Sequence, residues 1–219
     1  MVRVKICGIT SIDEARLVAR CGADAIGFLV GQRHTAADFI TADTAREIFF
    51  KLPPFITSVL VTHLEDPGEI LSIAEKIPCP VLQLHSDLEP SRLKTIREMA
   101  SPRKILGKIN VQDENALTRA REIEGCVDAI ILDSIDVSTG RVGGTGLVHD
   151  WSLSSRIVSA SQVPVVLAGG LKPENISEAV RLVRPWAVDV NSGVEDPHGR
   201  KEEQRVRRFI ELVKRLDLP

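Results

Sequence analysis

Short runs of β-branched and apolar residues alternate along the chain with longer amphipathic stretches. VRVKIC (2–7) reads as a first strand. SIDEARLVARC (11–21) follows as a helix, with Ser11 as N-cap and Glu14 three residues later in a capping box. The same alternation continues to the end. The predicted strands DAIGFLV, FITSVLV, PVLQLH, RKILGKI, VDAIILD, VPVVLAGG and WAVDVNSG are each followed by a helical pattern. These helices are TADTAREIFFKL (capped by Thr41), PGEILSIAEKI, PSRLKTIREMA, DENALTRAREI, WSLSSRIVSAS, PENISEAVRLV and EEQRVRRFIELVKRL. AIIL and PVVLA are near-continuous apolar runs, the mark of strands covered on both faces of a parallel sheet.

Eight strand–helix pairs within 219 residues predict an α/β fold, a single (β/α)8 TIM barrel spanning 1–219, at the compact end of its size range. A doubly wound open sheet is the alternative, disfavoured by the count of eight. Composition adds few constraints. With 28 basic and 30 acidic residues, the net charge of -2 gives no reason to expect nucleic acid or an anionic membrane as partner. No apolar run reaches the roughly 18 residues of a membrane span. No signal-peptide pattern opens the sequence, so a cytoplasmic location with reduced thiols is expected. Cys7, Cys21, Cys79 and Cys126 are scattered without a C-x-x-C pair, against both a disulfide framework and a zinc site.

In a barrel of this kind chemistry sits at the C-terminal ends of the strands. Those ends carry Cys7, Gly31–Gln32, Thr62–His63, His85, Lys108, Asp133, Gly169–Gly170 and Asn191–Ser192–Gly193. Cys7 and Asp133 are the candidate proton-transfer pair, delivered by different strands to one rim. Each also has a plain structural reading: a strand-end Cys as a small buried apolar residue, an Asp before Ser as a turn residue. His85 and His63 either line the pocket or bond a neighbouring loop, and metal-ligand spacing is not evident. The remaining cysteines read as core. Three glycine-bearing loops follow the last three strands: GRVGGTG with Gly143, Gly144 and Gly146; LAGGLKPEN with Gly169 and Gly170; and DVNSGVE with Asp189, Asn191, Ser192 and Gly193. Glycines let backbone N–H groups approach an oxyanion, and barrels often bind phosphate after their last two strands.

KICGIT, GADAIGF, VLQLH, LDS with GGTG and HDW, LAGGLKPENISEAV and VDVNSGVE, in that order, resemble phosphoribosylanthranilate isomerase over nearly the whole chain. The resemblance implies an Amadori rearrangement of N-(5-phosphoribosyl)anthranilate in tryptophan biosynthesis, with a small phosphorylated sugar as substrate, no cofactor, and a monomer or homodimer. It further implies Asp133 as general acid and Cys7 as general base. For that chemistry the thiolate must be accessible near neutral pH, and the carboxyl must be raised.

The second loop, VGQRHTAADFITADTA, departs from the family. The family usually has an arginine before the aromatic–aliphatic pair, facing the anthranilate carboxylate. Here Asp38 precedes Phe39–Ile40, and an aspartate repels a carboxylate. Arg33 and Arg141 are the candidate substitutes. Asn191 also stands where the family commonly has Ser, and either residue can bond a phosphate oxygen. Two alternatives to the anthranilate isomerase follow: the same barrel acting on another phosphoribosyl amine, or a non-catalytic phosphosugar-binding barrel.

Overall fold

The structure, a computed structural model, describes residues 1–32, 37–136, 141–142 and 149–216. Eight parallel strands close a barrel: Arg3–Ile6 (β1), Ala25–Leu29 (β2), Thr57–Thr62 (β3), Val81–Leu84 (β4), Lys104–Asn110 (β5), Ala129–Asp133 (β6), Val165–Leu167 (β9) and Ala187–Val190 (β10). Around the ring the order is β1-β10-β9-β6-β5-β4-β3-β2, so the first and last strands in sequence are neighbours. Their parallel register sets Lys5 beside Asp189 and Ile6 beside Val190. Two short strands, Ile135–Asp136 (β7) and Arg141–Val142 (β8), pair antiparallel inside the sixth loop. They are too short and too polar to register in the apolar pattern.

The helices are Ile12–Arg20 (α1), Ala42–Phe50 (α2), Pro67–Lys76 (α3), Pro90–Ala100 (α4), Asn115–Ile123 (α5), Trp151–Ala160 (α6), Ile176–Val183 (α7) and Glu203–Lys214 (α8). Thr41 caps α2 as expected, accepting from the Thr44 amide at 3.1 Å. Ser11 caps α1 likewise, accepting from the Glu14 amide at 3.2 Å. The capping box is only half built, however. The Glu14 carboxylate reaches the amide and hydroxyl of Thr10, at 2.9 and 2.8 Å, and the Lys201 amide at 3.0 Å. Glu14 therefore fastens the first βα loop to the chain beyond β10.

Strand alternation divides the core in two. Ile6, Phe28, Ile130, Leu132 and Val188 point outward and pack with the helices, where Phe209 of α8 is fully buried. Leu106, Ile131, Val166, Ala168 and Ala187 fill the barrel itself. Gly107 marks the outward side on β5: a Cβ there would lie 2.8 Å from Val127 Cγ1. Lys108 is therefore turned into the barrel, where it is 5% exposed. Cys79 is buried, whereas Cys21 and Cys126 are half-buried at the edge of the core.

Candidate functional site

Cys7 continues directly from β1, its amide bonded to the Val190 carbonyl at 2.8 Å. Across from it Gly27 leaves room for the thiol, since a Cβ there would sit 2.7 Å from Sγ. Two residues earlier, on the same inward face, Lys5 is buried. Its ammonium has three partners: Asp189 Oδ2 at 2.6 Å, Gln83 Oε1 at 2.9 Å and Cys7 Sγ at 3.3 Å. Burial opposes the Lys5 charge, but Asp189 and Cys7 together raise its pKa above the ordinary lysine value. Burial pushes the Cys7 thiol up to about 11, with Lys5 pulling against it and Asp189 adding to it. The unoccupied-by-partner atom in this layer is Asp189 Oδ1, buried without a hydrogen bond among the described residues.

Asp133 ends β6 at the same mouth. Its Oδ1 accepts from the Ser134 amide at 2.8 Å, and its Oδ2 lies 3.3 Å from His85 Nε2. Burial alone would raise this carboxyl, but His85, the Ser134 amide and Lys108 outweigh it and hold it below the usual range. Gly169, at φ +81°, makes the geometry possible: a Cβ there would fall 2.7 Å from the Ser134 amide and 3.0 Å from Asp133 Oδ1. His85 stacks on His63 with ring centroids 4.8 Å apart, and Phe39 meets His63 edge-on at 6.1 Å. These rings wall the side of the mouth below the second loop.

The two departures from the family pattern touch each other. Asn191 Nδ2 donates to Asp38 Oδ2 at 2.7 Å, and Asn191 Oδ1 accepts from Lys201 Nζ at 2.6 Å. Lys201 is fully buried as a side chain and is also ion-paired with Glu195. A serine is too short to serve both Asp38 and Lys201. Gly8, at φ +70°, lies against this amide; a Cβ there would be 2.3 Å from Oδ1. Asn191, expected to bond phosphate, here gives its Oδ1 to Lys201 and one of its two Nδ2 hydrogens to Asp38. Asp189, grouped in the sequence with the same loop, is also not turned to that loop but ion-paired with Lys5. Asp38 is a clasp between the second loop and the end of β10.

The structure brings Cys7, Asp133, His85 and Asp38 to one rim, with Gly169, Gly170, Ser192 and Gly193 on the adjoining loops. Gly193 is packed hard against the loop after β9, where a Cβ would lie 1.8 Å from the Leu171 carbonyl oxygen. Arg33, Gly143, Gly144 and Gly146 lie outside the described residues. Arg141 pairs with Asp136 through the backbone of β7 and β8, its side chain being outside the description. Lys5 and Gln83 are absent from the rim residues expected from the sequence. A signal was present: each is a polar residue two positions before a rim residue, on the same face of its strand.

Fold and rim together define a class: a (β/α)8 barrel with a buried carboxylate and a buried thiol at the C-terminal mouth, beside glycine-lined loops. Residues 4–212 match the family described as N-(5'phosphoribosyl)anthranilate (PRA) isomerase, and the chain belongs to that family. N-(5'-phosphoribosyl)anthranilate isomerase of Methanocella arvoryzae is 44% identical over 214 residues, covering 98% of this chain and 99% of that one. Isomerase 2 of Methanosarcina mazei is 42% identical over 213 residues, covering 97% and 94%. Among solved structures, the phosphoribosyl anthranilate isomerase of Thermotoga maritima superposes with a TM-score of 0.86 at 36% identity, over 99% of this chain and all of the other. A phosphoribosyl anthranilate isomerase in complex with reduced 1-(o-carboxyphenylamino)-1-deoxyribulose 5-phosphate matches with a TM-score of 0.83 at 35% identity, with the same coverage.

Proposed function

We propose that this chain converts N-(5-phosphoribosyl)anthranilate to the corresponding aminoketose phosphate, with Asp133 as general acid and Cys7 as general base. The observation that carries the reading is the convergence of these two buried groups, from β6 and β1, on one barrel mouth within the isomerase family. Asp133 protonates the ribose ring oxygen as the C1–O bond breaks, and the amine lone pair forms a protonated Schiff base. Cys7 then takes the proton from C2, leaving an enolamine. Protonation at C1 and loss of the C2 hydroxyl proton complete the ketone.

The free site holds both groups the wrong way for this chemistry: the thiol protonated, the carboxyl ionised. Substrate supplies the correction. Its phosphate and carboxylate bring negative charge that raises Asp133, and the iminium formed on ring opening lowers the thiol beside it. Asp133 and Cys7 thus become acid and base only around a bound substrate. The phosphate sits at Gly169, Gly170, Ser192 and Gly193; the tight packing of Gly193 on Leu171 draws the two loops together. The aromatic ring lies toward Phe39, His63 and His85. No described helix is long and apolar enough to cross a membrane, in keeping with a cytoplasmic biosynthetic enzyme.

The test is growth without tryptophan of a strain lacking this isomerase. The wild-type gene restores growth; Cys7→Ala and Asp133→Asn, expressed and folded, do not, with kcat/KM down by at least about 100-fold. Variants within tenfold of wild type would remove these assignments.

A further inference from the structure

A continuous chain of side chains joins the two proton-transfer groups across the barrel interior. From Asp133 it passes to His85 Nε2 at 3.3 Å, from His85 Nδ1 to Gln83 Nε2 at 3.1 Å, from Gln83 Oε1 to Lys5 Nζ at 2.9 Å, and from Lys5 to Cys7 Sγ at 3.3 Å. Gln83 is 1% exposed and sits on β4, across the barrel from β1.

The direction of this chain is dictated from its lysine end. An ammonium only donates, so the atom facing Lys5 must be the amide oxygen of Gln83. The amide is planar, which turns its NH2 group to His85 Nδ1. That NH2 only donates, so Nδ1 must accept and carry no proton. The imidazole proton is left on Nε2, where it faces the Asp133 carboxylate.

We propose that Gln83 is a positioning residue for this reaction: under the direction of Lys5 it fixes His85 as the neutral Nε2–H tautomer that donates to Asp133. The inference rests on the assignment of Asp133 as the acid. An imidazolium at this place would meet the Gln83 NH2 donor-to-donor. The neutral tautomer gives Asp133 a hydrogen bond without a full positive charge. Asp133 can therefore take up a proton when an anionic substrate arrives. The Lys5–Asp189 pair, packed under Cys7, thus sets the state of the acid on the far strand as well.

The test is nitrogen-resolved NMR of the His85 ring in the full chain, with steady-state kinetics alongside. Wild type is expected to show the Nε2–H tautomer in the neutral ring. Gln83→Met should mix the tautomers and lower kcat by on the order of tenfold with KM little changed. Gln83→Glu should bring a proton to Nδ1, because a carboxylate facing that atom accepts; with Asp133 still facing Nε2, that proton is added and not moved. Lys5→Met frees the amide to rotate and should also mix the tautomers, a second route if the Gln83 variants fold poorly. An Nδ1 that stays unprotonated in folded Gln83→Glu, together with an unmixed Nε2–H tautomer in folded Lys5→Met, would overturn the proposal. If instead Asp133→Asn stays active while the tautomer responds as expected, the acid assignment fails and the control of His85 by Gln83 stands.

Discussion

At the scale of single residues, the site is a set of charges held away from their ordinary states. Cys7 is 7% exposed, and burial keeps its thiol protonated up to about pH 11. In the free protein its alkylation by iodoacetamide, followed by mass spectrometry, should rise tenfold per pH unit from 7 to 10; a plateau by pH 8 would contradict this. Lys108 is the converse case. Burial lowers it to about 8, with Asp133 and Asp87 only partly compensating. A lysine depressed on folding binds fewer protons than in the unfolded chain between about pH 8 and 10.5, so its penalty is full below that window and fades above it. Lys108→Met should therefore stabilise the free protein at pH 7, by roughly 1–3 kcal/mol in urea unfolding. The gain should vanish by about pH 11. That penalty marks Lys108 as a charge the fold does not need.

At the scale of elements, the loops after β9 and β10 are held in mutual contact by a missing side chain. Gly193→Ala would drive a Cβ into the Leu171 carbonyl, and a loss of about 3 kcal/mol or more is expected in thermal or denaturant unfolding. Gly125→Ala, with nothing within 4 Å of its Cβ, is the control and should shift stability by less than about 1 kcal/mol. The strand–helix alternation was legible because every barrel strand carries buried apolar residues and every helix carries a period. Cys7 and Asp133 were legible as polar residues where an apolar run stops. Lys5 and Gln83 left only a weak signal, their spacing from the rim residues, because one polar residue inside a strand looks like an ordinary exposed position until the barrel closes over it. The clasp between Asp38 and Asn191 was beyond reach for another reason: its halves are 153 residues apart, and each alone reads as a substrate contact. Nor does the pattern report β7 and β8, which are only two residues each.

At the scale of the whole molecule, Lys5 and Asp189 pin the seam where the barrel closes. Asp189→Leu leaves a buried ammonium without its anion and should lower stability by about 3–5 kcal/mol in denaturant unfolding. Lys5→Met combined with Asp189→Leu should recover most of that loss, since an apolar pair of similar volume needs no counter-charge. Recovery of fold without recovery of turnover in the double variant would separate the seam's mechanical role from its part in the chemistry.

That seam also has a consequence in time. Its two halves are 184 residues apart, so β1 leaves the ribosome well before β10. At a synthesis rate of about 5–20 residues per second, roughly 10–40 seconds pass before β10 emerges. Through that interval β1 is a strand with one side open, the state in which nascent chains stick to one another. The lysine at its centre, still hydrated and unpaired, makes that edge a poor template for a neighbouring chain. Lys5→Met is therefore expected to lower the soluble yield of coupled translation, read as the fraction of chain in the supernatant.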